Sequence, residues 1–226
     1  MSELSKEHSN RIDELEPGLH GIGTTPSFAI GQRALLVRGL LWDCITLLDE
    51  ASAQEVERLG GVETIAISHP HYYGAMVDWA ERFDARICLH EADRAWVMRP
   101  SKRIEFWSGE RLRISDELEL LRLGGHFDGG TVCLWKEGAD GRGALLSGDI
   151  VKVVSDRDWV SFMYSYPNLI PLPAREVQRI RSILDGLDFA RVYGAWWDRV
   201  VLENAKAKVL RSADRYLKAL SPTMDP

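Results

Sequence analysis

Two histidines sit at alternate positions directly after an apolar run, in Ser68-His69-Pro70-His71. A His-x-His pair of this kind can aim two imidazoles at one point, and zinc favours imidazole nitrogen in tetrahedral sets. A third histidine, His126, lies in Gly124-Gly125-His126-Phe127-Asp128-Gly129-Gly130. Glycines there let the backbone bend sharply and bring the side chain close to another group. Asp149 ends the apolar run Leu146-Ser147-Gly148, where a carboxylate is costly unless it is paired, hydrogen-bonded or metal-bound. The bland readings stand beside these: three hydrogen-bonded, metal-free histidines, and an Asp149 that caps a turn or a helix start. Of the other histidines, His90 reads as structural, and His8 and His20 as incidental.

The elements that must position these residues are short and punctuated by glycine. SFAIG and RALLVRG read as two strands joined by a turn at Gly31-Gln32, and LLWDC as a third. Residues 47–59 carry Leu48, Ala51, Val56 and Leu59 at helical spacing, and Gly60-Gly61 stops the helix. VETIAIS is a strand that delivers the loop HPHYYG; AMVDWAERF, ARICLH and EADRAWVM then read as helix, strand and helix. LELLRLGG and TVCLWKE are strands joined by the His126 loop, GADGRG is a turn, and ALLSGD is a buried strand. SFMYSYPNLIPLP reads as an ordered loop, AREVQRIRSILDGL as a helix, FARVYGAWW as strand plus loop, and residues 200–220 as a closing helix. Residues 1–17 are a polar arm, and residues 18–226 read as a single domain of sheets with helices on their outer faces.

The chain of 226 residues carries a formal net charge of −6, with no dense run of Lys and Arg. That argues against a nucleic-acid partner, because phosphate neutralisation needs clustered cations. No apolar stretch approaches a membrane span, and the polar start MSELSKEHSNRIDELEPG has no signal-like apolar region. Cys44, Cys88 and Cys133 all lie in apolar segments and read as reduced, buried hydrophobes, so the cytoplasm is the expected location.

The order strand–HxH, strand–GGH turn–strand, strand–GD resembles the metallo-β-lactamase superfamily over roughly residues 18–200. The resemblance implies an α+β fold, a four-layer αββα sandwich. The family's first motif reads His-x-His-x-Asp-His; here it is His69-Pro70-His71-Tyr72-Tyr73-Gly74, so Tyr73 and Gly74 replace two ligands. His126 matches the Gly-His turn and Asp149 the bridging carboxylate. The final histidine would fall within Val192-Tyr193-Gly194-Ala195-Trp196-Trp197, where Trp196 takes its place. Leu41-Trp42-Asp43 resembles the early strand whose Asp supports the metal loop. Three of the four residues of a second metal position are gone. The resemblance therefore implies at most one ion, zinc, on His69, His71 and His126 with Asp149 nearby.

Such a site implies a hydrolase acting on an ester, thioester or lactone through metal-bound water, with a small molecule as partner. Asp149 would orient the water, or else fill the fourth position and close the site. Tyr73 is a poor base, since a phenol ordinarily titrates near pH 10, but it can donate to a developing oxyanion. The alternative is a catalytically inactive member that binds a small molecule or a protein in the residual cleft, plugged by Trp196 and Tyr73. An oxygen-activating iron site ranks last, because it needs open positions that Asp149 would occupy. The aromatic segment Trp159, Phe162, Tyr164 and Tyr166 either lines a pocket mouth or packs in the core or a subunit contact. Substrate, metal identity and homo-oligomer formation stay open at this point.

Overall fold

The computed structural model describes residues 4–221. Its backbone packing resolves two compact units, one running to Trp107 and including Ala195–Trp197, the other comprising Ser108–Gly194 and the chain from Asp198 onward.

The first unit is a seven-stranded sheet whose strands follow chain order: β1 (Ser9–Glu16), β2 (Leu19–Thr25), β3 (Arg33–Val37), β4 (Leu40–Trp42), β5 (Thr64–Ala66), β6 (Arg86–His90) and β7 (Ile104–Trp107). β1 to β4 pair antiparallel and β4 to β7 parallel. Parallel neighbours require crossovers, supplied here by the helices Glu50–Arg58 and Met76–Phe83 and a single 3-10 stretch, Glu91–Trp96. The first helix starts where it does because Asp49 accepts from the Ser52 amide at 2.7 Å, satisfying one of the otherwise orphaned donors. The second buries Met76, Val77, Trp79 and Ala80, and the Trp79 indole donates to the Ile45 carbonyl at 2.9 Å. Asp84, in the left-handed region at φ 57°, ends it.

Ala195–Trp197 joins this unit through hydrogen bonds from the Arg33 amide to the Ala195 carbonyl (2.8 Å) and from the Trp196 indole to the Ile30 carbonyl (2.7 Å). Trp197 lies on the bare backbone of β2. A Cβ at Gly21 would stand 2.9 Å, and one at Gly23 2.6 Å, from the indole, so both positions need glycine for this close approach. The Arg11 guanidinium covers the ring at 4.4 Å.

The second unit is a six-stranded sheet in the order β17-β16-β11-β10-β9-β8, formed by β8 (Arg111–Arg113), β9 (Leu118–Arg122), β10 (Thr131–Trp135), β11 (Ala144–Gly148), β16 (Arg191–Gly194) and β17 (Val200–Val201). Only β11 and β16 pair parallel, and the crossover between them carries the helix Ala174–Asp185. Two small ladders precede that helix: β12 (Lys152–Val153) with β13 (Val160–Ser161), and β14 (Met163–Ser165) with β15 (Ile170–Pro171). The helix buries Val177, Ile180 and Leu184 at helical spacing and packs with the closing helix Ala205–Ala219 over a core of Leu121, Val132, Leu145, Phe162 and Val192.

Several local expectations are corrected. Residues 9–16, read as part of a polar arm, form an edge strand. SFAIG is a turn rather than a strand: Gly31 donates back to the Phe28 carbonyl, Ala29 and Gly31 have positive φ, and Phe28 and Ile30 are exposed. The strand beside it is Leu19–Thr25. EADRAWVM makes only a 3-10 turn, because Trp96 and Met98 point outward and leave no apolar face to bury. The strands β7 and β8 were not anticipated. No helix among the described residues is long and apolar enough to cross a membrane.

Candidate metal centre

The parallel neighbours β4 and β5 end side by side, and that adjacency builds the first half of the centre. Asp43, just past β4 and at φ 63°, donates its amide to the Ala66 carbonyl at 2.9 Å. Its buried carboxylate accepts from the Ser68 amide at 2.7 Å. The loop after β5 is thereby pinned one residue before His69, in line with the supporting role that the resemblance implies for this aspartate. His69 has no solvent exposure; its Nδ1 lies 2.8 Å from Ser68 Oγ and its Nε2 lies 3.1 Å from Nδ1 of the exposed His71. Pro70 opens a single 3-10 turn, Pro70–Tyr72, which sets the two rings edge to face at 79°.

His126 is held differently. Gly124 (φ 62°) and Gly125 (φ 88°) turn the chain out of β9. The ring Nδ1 lies 2.7 Å from the Tyr164 carbonyl of β14. A carbonyl only accepts, so Nδ1 carries the hydrogen and Nε2 carries the lone pair, the tautomer a metal-ligating imidazole requires. Burial pushes the imidazole pKa below its ordinary value. The Tyr164 carbonyl opposes that shift and the Lys152 charge adds to it.

Among the described residues, His69, His71 and His126 each offer one ring nitrogen, and the three atoms lie within 4.8 Å of one another. The donor chemistry fits a zinc ion: three imidazoles, one with its tautomer fixed for ligation. Asp149 is buried, and the Tyr166 hydroxyl donates to its backbone carbonyl at 2.8 Å. Tyr166 in turn places its ring edge-on to His126, with centroids 5.3 Å apart.

Tyr73 is buried in the core of the first unit. Burial first, then the charges of Asp93 and Asp43, drive its phenol pKa far upward, so it keeps its proton. Trp196 packs against the first core, with its indole turned to Ile30. The aromatic segment divides. Phe162 is core, the Arg211 and Arg215 guanidiniums both lie over the Trp159 ring, Tyr164 and Tyr166 contact His126, and the Tyr164 side chain is exposed. His90 is structural, accepting from the Ala92 amide and meeting Trp107 edge-on. Cys44, Cys88 and Cys133 are free and buried, and burial raises the pKa of each thiol, that of Cys88 to about 11.

Sequence reasoning missed three contributors. Asp93, inside the segment EADRAWVM that reads as a helix, is buried and acts on Tyr73. The Tyr164 carbonyl is a backbone group with no sequence signal. Lys152, three residues after Asp149, lies with its ammonium 3.8 Å from the Tyr166 ring centroid; only its distance along the chain from Asp149 could have drawn attention to it.

Comparison with solved structures places this architecture. The metallo-β-lactamase VMB-1 superposes with a TM-score of 0.67 at 12% identity, covering 94% of this chain and 99% of that one. DIM-1 metallo-β-lactamase gives 0.65 at 13% identity, covering 92% and 98%. A Cronobacter sakazakii metallo-β-lactamase, a HARLDQ motif mutant, gives 0.59 at 15% identity, covering 92% of each. The fold is therefore that of the metallo-β-lactamases, an α+β fold of mixed sheets and helices. No family model matches the sequence. The uncharacterized protein YmaE of Bacillus subtilis (strain 168) is 52% identical over 216 residues, which span 94% of this chain and 78% of that protein. The chain belongs to the YmaE family.

Proposed function

We propose that the protein is a hydrolase with a single metal ion, zinc, acting on an ester, thioester or lactone-type substrate. The observation that carries this reading is the grouping of three imidazole nitrogens, one of them on a ring whose tautomer the Tyr164 carbonyl fixes. His69 Nε2, His71 Nδ1 and His126 Nε2 would hold the ion, and on this reading residues 18–226 work as one domain. Zinc when bound would supply Lewis acidity and acidify a water molecule to a pKa of about 7. Asp149 would accept a hydrogen bond from the attacking water and orient it. Tyr73, with its proton retained by burial and by two neighbouring carboxylates, would donate to the oxygen on which charge develops. Ser68 and Asp43 keep His69 aimed while this happens. The buried, unpaired thiols favour a reducing compartment such as the cytoplasm.

The alternative, a non-catalytic protein that binds a small molecule or partner, draws on Tyr73 and Gly74 standing where the superfamily motif carries ligands. Metal content per chain, after purification without chelator, separates the two. About one zinc per chain, lost in His69→Ala and in His126→Ala, is expected. No zinc after add-back overturns the hydrolase reading. Hydrolysis of a panel of aryl esters, thioesters and lactones by the zinc-loaded protein then identifies the substrate class.

A further inference from the structure

We infer, resting on the one-ion reading above, that Arg122 and Arg179 are positioning residues for His126. They grip two carbonyls that bracket its loop, and Glu110 holds the two guanidiniums to one carboxylate. The need comes from the loop itself. Four of the seven residues of Gly124-Gly125-His126-Phe127-Asp128-Gly129-Gly130 are glycine, and glycine has the most conformational freedom to lose. A histidine carried on such a chain ligates well only when the backbone beneath it is held. Main-chain bonds close the base of the loop: the Leu123 and Gly124 amides both donate to the Gly130 carbonyl at 2.8 Å. The arginines act outside this closure, from two other directions.

Arg122, the last residue of β9, donates through Nε to the Asp128 carbonyl at 2.8 Å, on the far side of His126. Arg179, on the helix Ala174–Asp185, donates through Nη2 to the Leu123 carbonyl, on the near side. Glu110, just before β8, meets one arginine on each carboxylate oxygen. Arg122 Nη1 donates to its Oε1 at 3.3 Å, and Arg179 Nη1 lies 3.8 Å from its Oε2. Arg179 Nε also donates to Glu176 at 3.4 Å, which steadies the fork from its own helix. The closeness of the approach shows at position 124: a Cβ there would stand 2.6 Å from Arg179 Nη2. Glycine at 124 therefore serves the guanidinium as well as the φ of 62°. This division of donors suits arginine, whose planar fork bonds a carbonyl on one arm and a carboxylate on another; an ammonium is a single point charge. The Glu110 carboxylate is mostly exposed, so its ion pairs add little energy themselves. Their effect is to aim the donors. All of these residues belong to the second unit, which also carries His126.

Amide hydrogen exchange on the metal-free protein, held in chelator, tests the grip without the metal. Arg122→Met and Arg179→Met should each speed exchange across residues 124–130 about tenfold, with β10 and β11 at wild-type rates. Nitrogen NMR of the His126 ring gives a readout that a general packing role would not move. The Nδ1–H form should dominate in the wild type, and the Nε2–H form should grow in the double variant as the ring slips from the Tyr164 carbonyl. Zinc titration is the third readout. Affinity should fall about threefold in each single variant and about tenfold in the pair, the low end for residues behind a ligand, because the grip is shared and the Tyr164 carbonyl remains. Glu110→Gln leaves both carbonyl bonds in place and should stay within about twofold of the wild type. Arg→Gln at the same position substitutes for a Met variant that does not fold. Wild-type exchange over residues 124–130 with an unchanged tautomer in the double variant overturns the inference. Exchange that speeds up equally throughout the second unit overturns it as well. If the wild type takes up no zinc at all, the one-ion reading fails, while exchange and tautomer still decide whether the arginines hold the loop.

Discussion

The two histidine-bearing regions are stabilised by opposite means. His69 and His71 sit on a loop pinned by a side chain: the Asp43 carboxylate, brought alongside by strand adjacency, accepts from the Ser68 amide. His126 is fixed by a backbone carbonyl 38 residues away, on the β14–β15 ladder. A side-chain anchor can be deleted by one substitution. A carbonyl cannot, and it survives any change of residue 164 that leaves β14 in place. The first region should therefore be brittle to mutation and the second tolerant.

The sharpest way to break this contrast is Asp43→Ala. It leaves the buried Ser68 amide without its acceptor and removes a buried charge from its setting, which should cost about 3 kcal/mol. Zinc affinity should fall about 10- to 100-fold, as for other residues that orient a ligand from behind. Denaturant unfolding and zinc titration measure both effects. Wild-type values in both would mean that the strand ends alone hold the loop.

A smaller effect of a different kind is expected at Gly23→Ala. The new methyl would stand 2.6 Å from the Trp197 indole, an overlap that forces the ring off β2 and should cost about 1–3 kcal/mol. Trp197 shares the first unit with Asp43 but not its contact to the metal loop, so zinc stoichiometry should stay at the wild-type value. Stability loss with full zinc content would separate packing from anchoring in this unit. A simultaneous loss of zinc would show that the two cannot be separated.

How far these features were legible follows from the kind of signal each leaves. His69, His71 and His126 carry a side-chain signature in fixed order, and Asp43 follows an apolar strand. All four could be read as a set. The β2 strand Leu19–Thr25 could not, because its glycines have little intrinsic strand preference and are retained for Trp197. SFAIG looked more strand-like, yet its apolar residues face solvent. The edge strand β8 alternates arginine with a single leucine and buries too little to stand out. The Tyr164 carbonyl is invisible at the level of residue type. Lys152 carries a common surface residue's signature, and its place over the Tyr166 ring appears only in the structure.

The second region is better probed by pH than by mutation, and this is the smallest effect. Burial holds the His126 imidazole below its ordinary pKa of 6.5 in the folded chain. Above pH 6.5 both folded and unfolded chains keep it neutral, and it adds no pH dependence. Below that value the unfolded chain takes up a proton that the folded one resists. The unfolded state then binds more protons, and stability falls with pH until the lowered folded value is passed. The metal-free protein should therefore melt at constant temperature through neutral pH and lose stability progressively on the acid side of 6.5, as far as His126 is concerned. His126→Gln should flatten that part of the curve. Zinc should show the same edge, since a protonated imidazole cannot ligate. An acid-side slope unchanged in His126→Gln would mean that the proton is taken up elsewhere, and that the Tyr164 carbonyl holds a ring whose charge state does not matter to the fold.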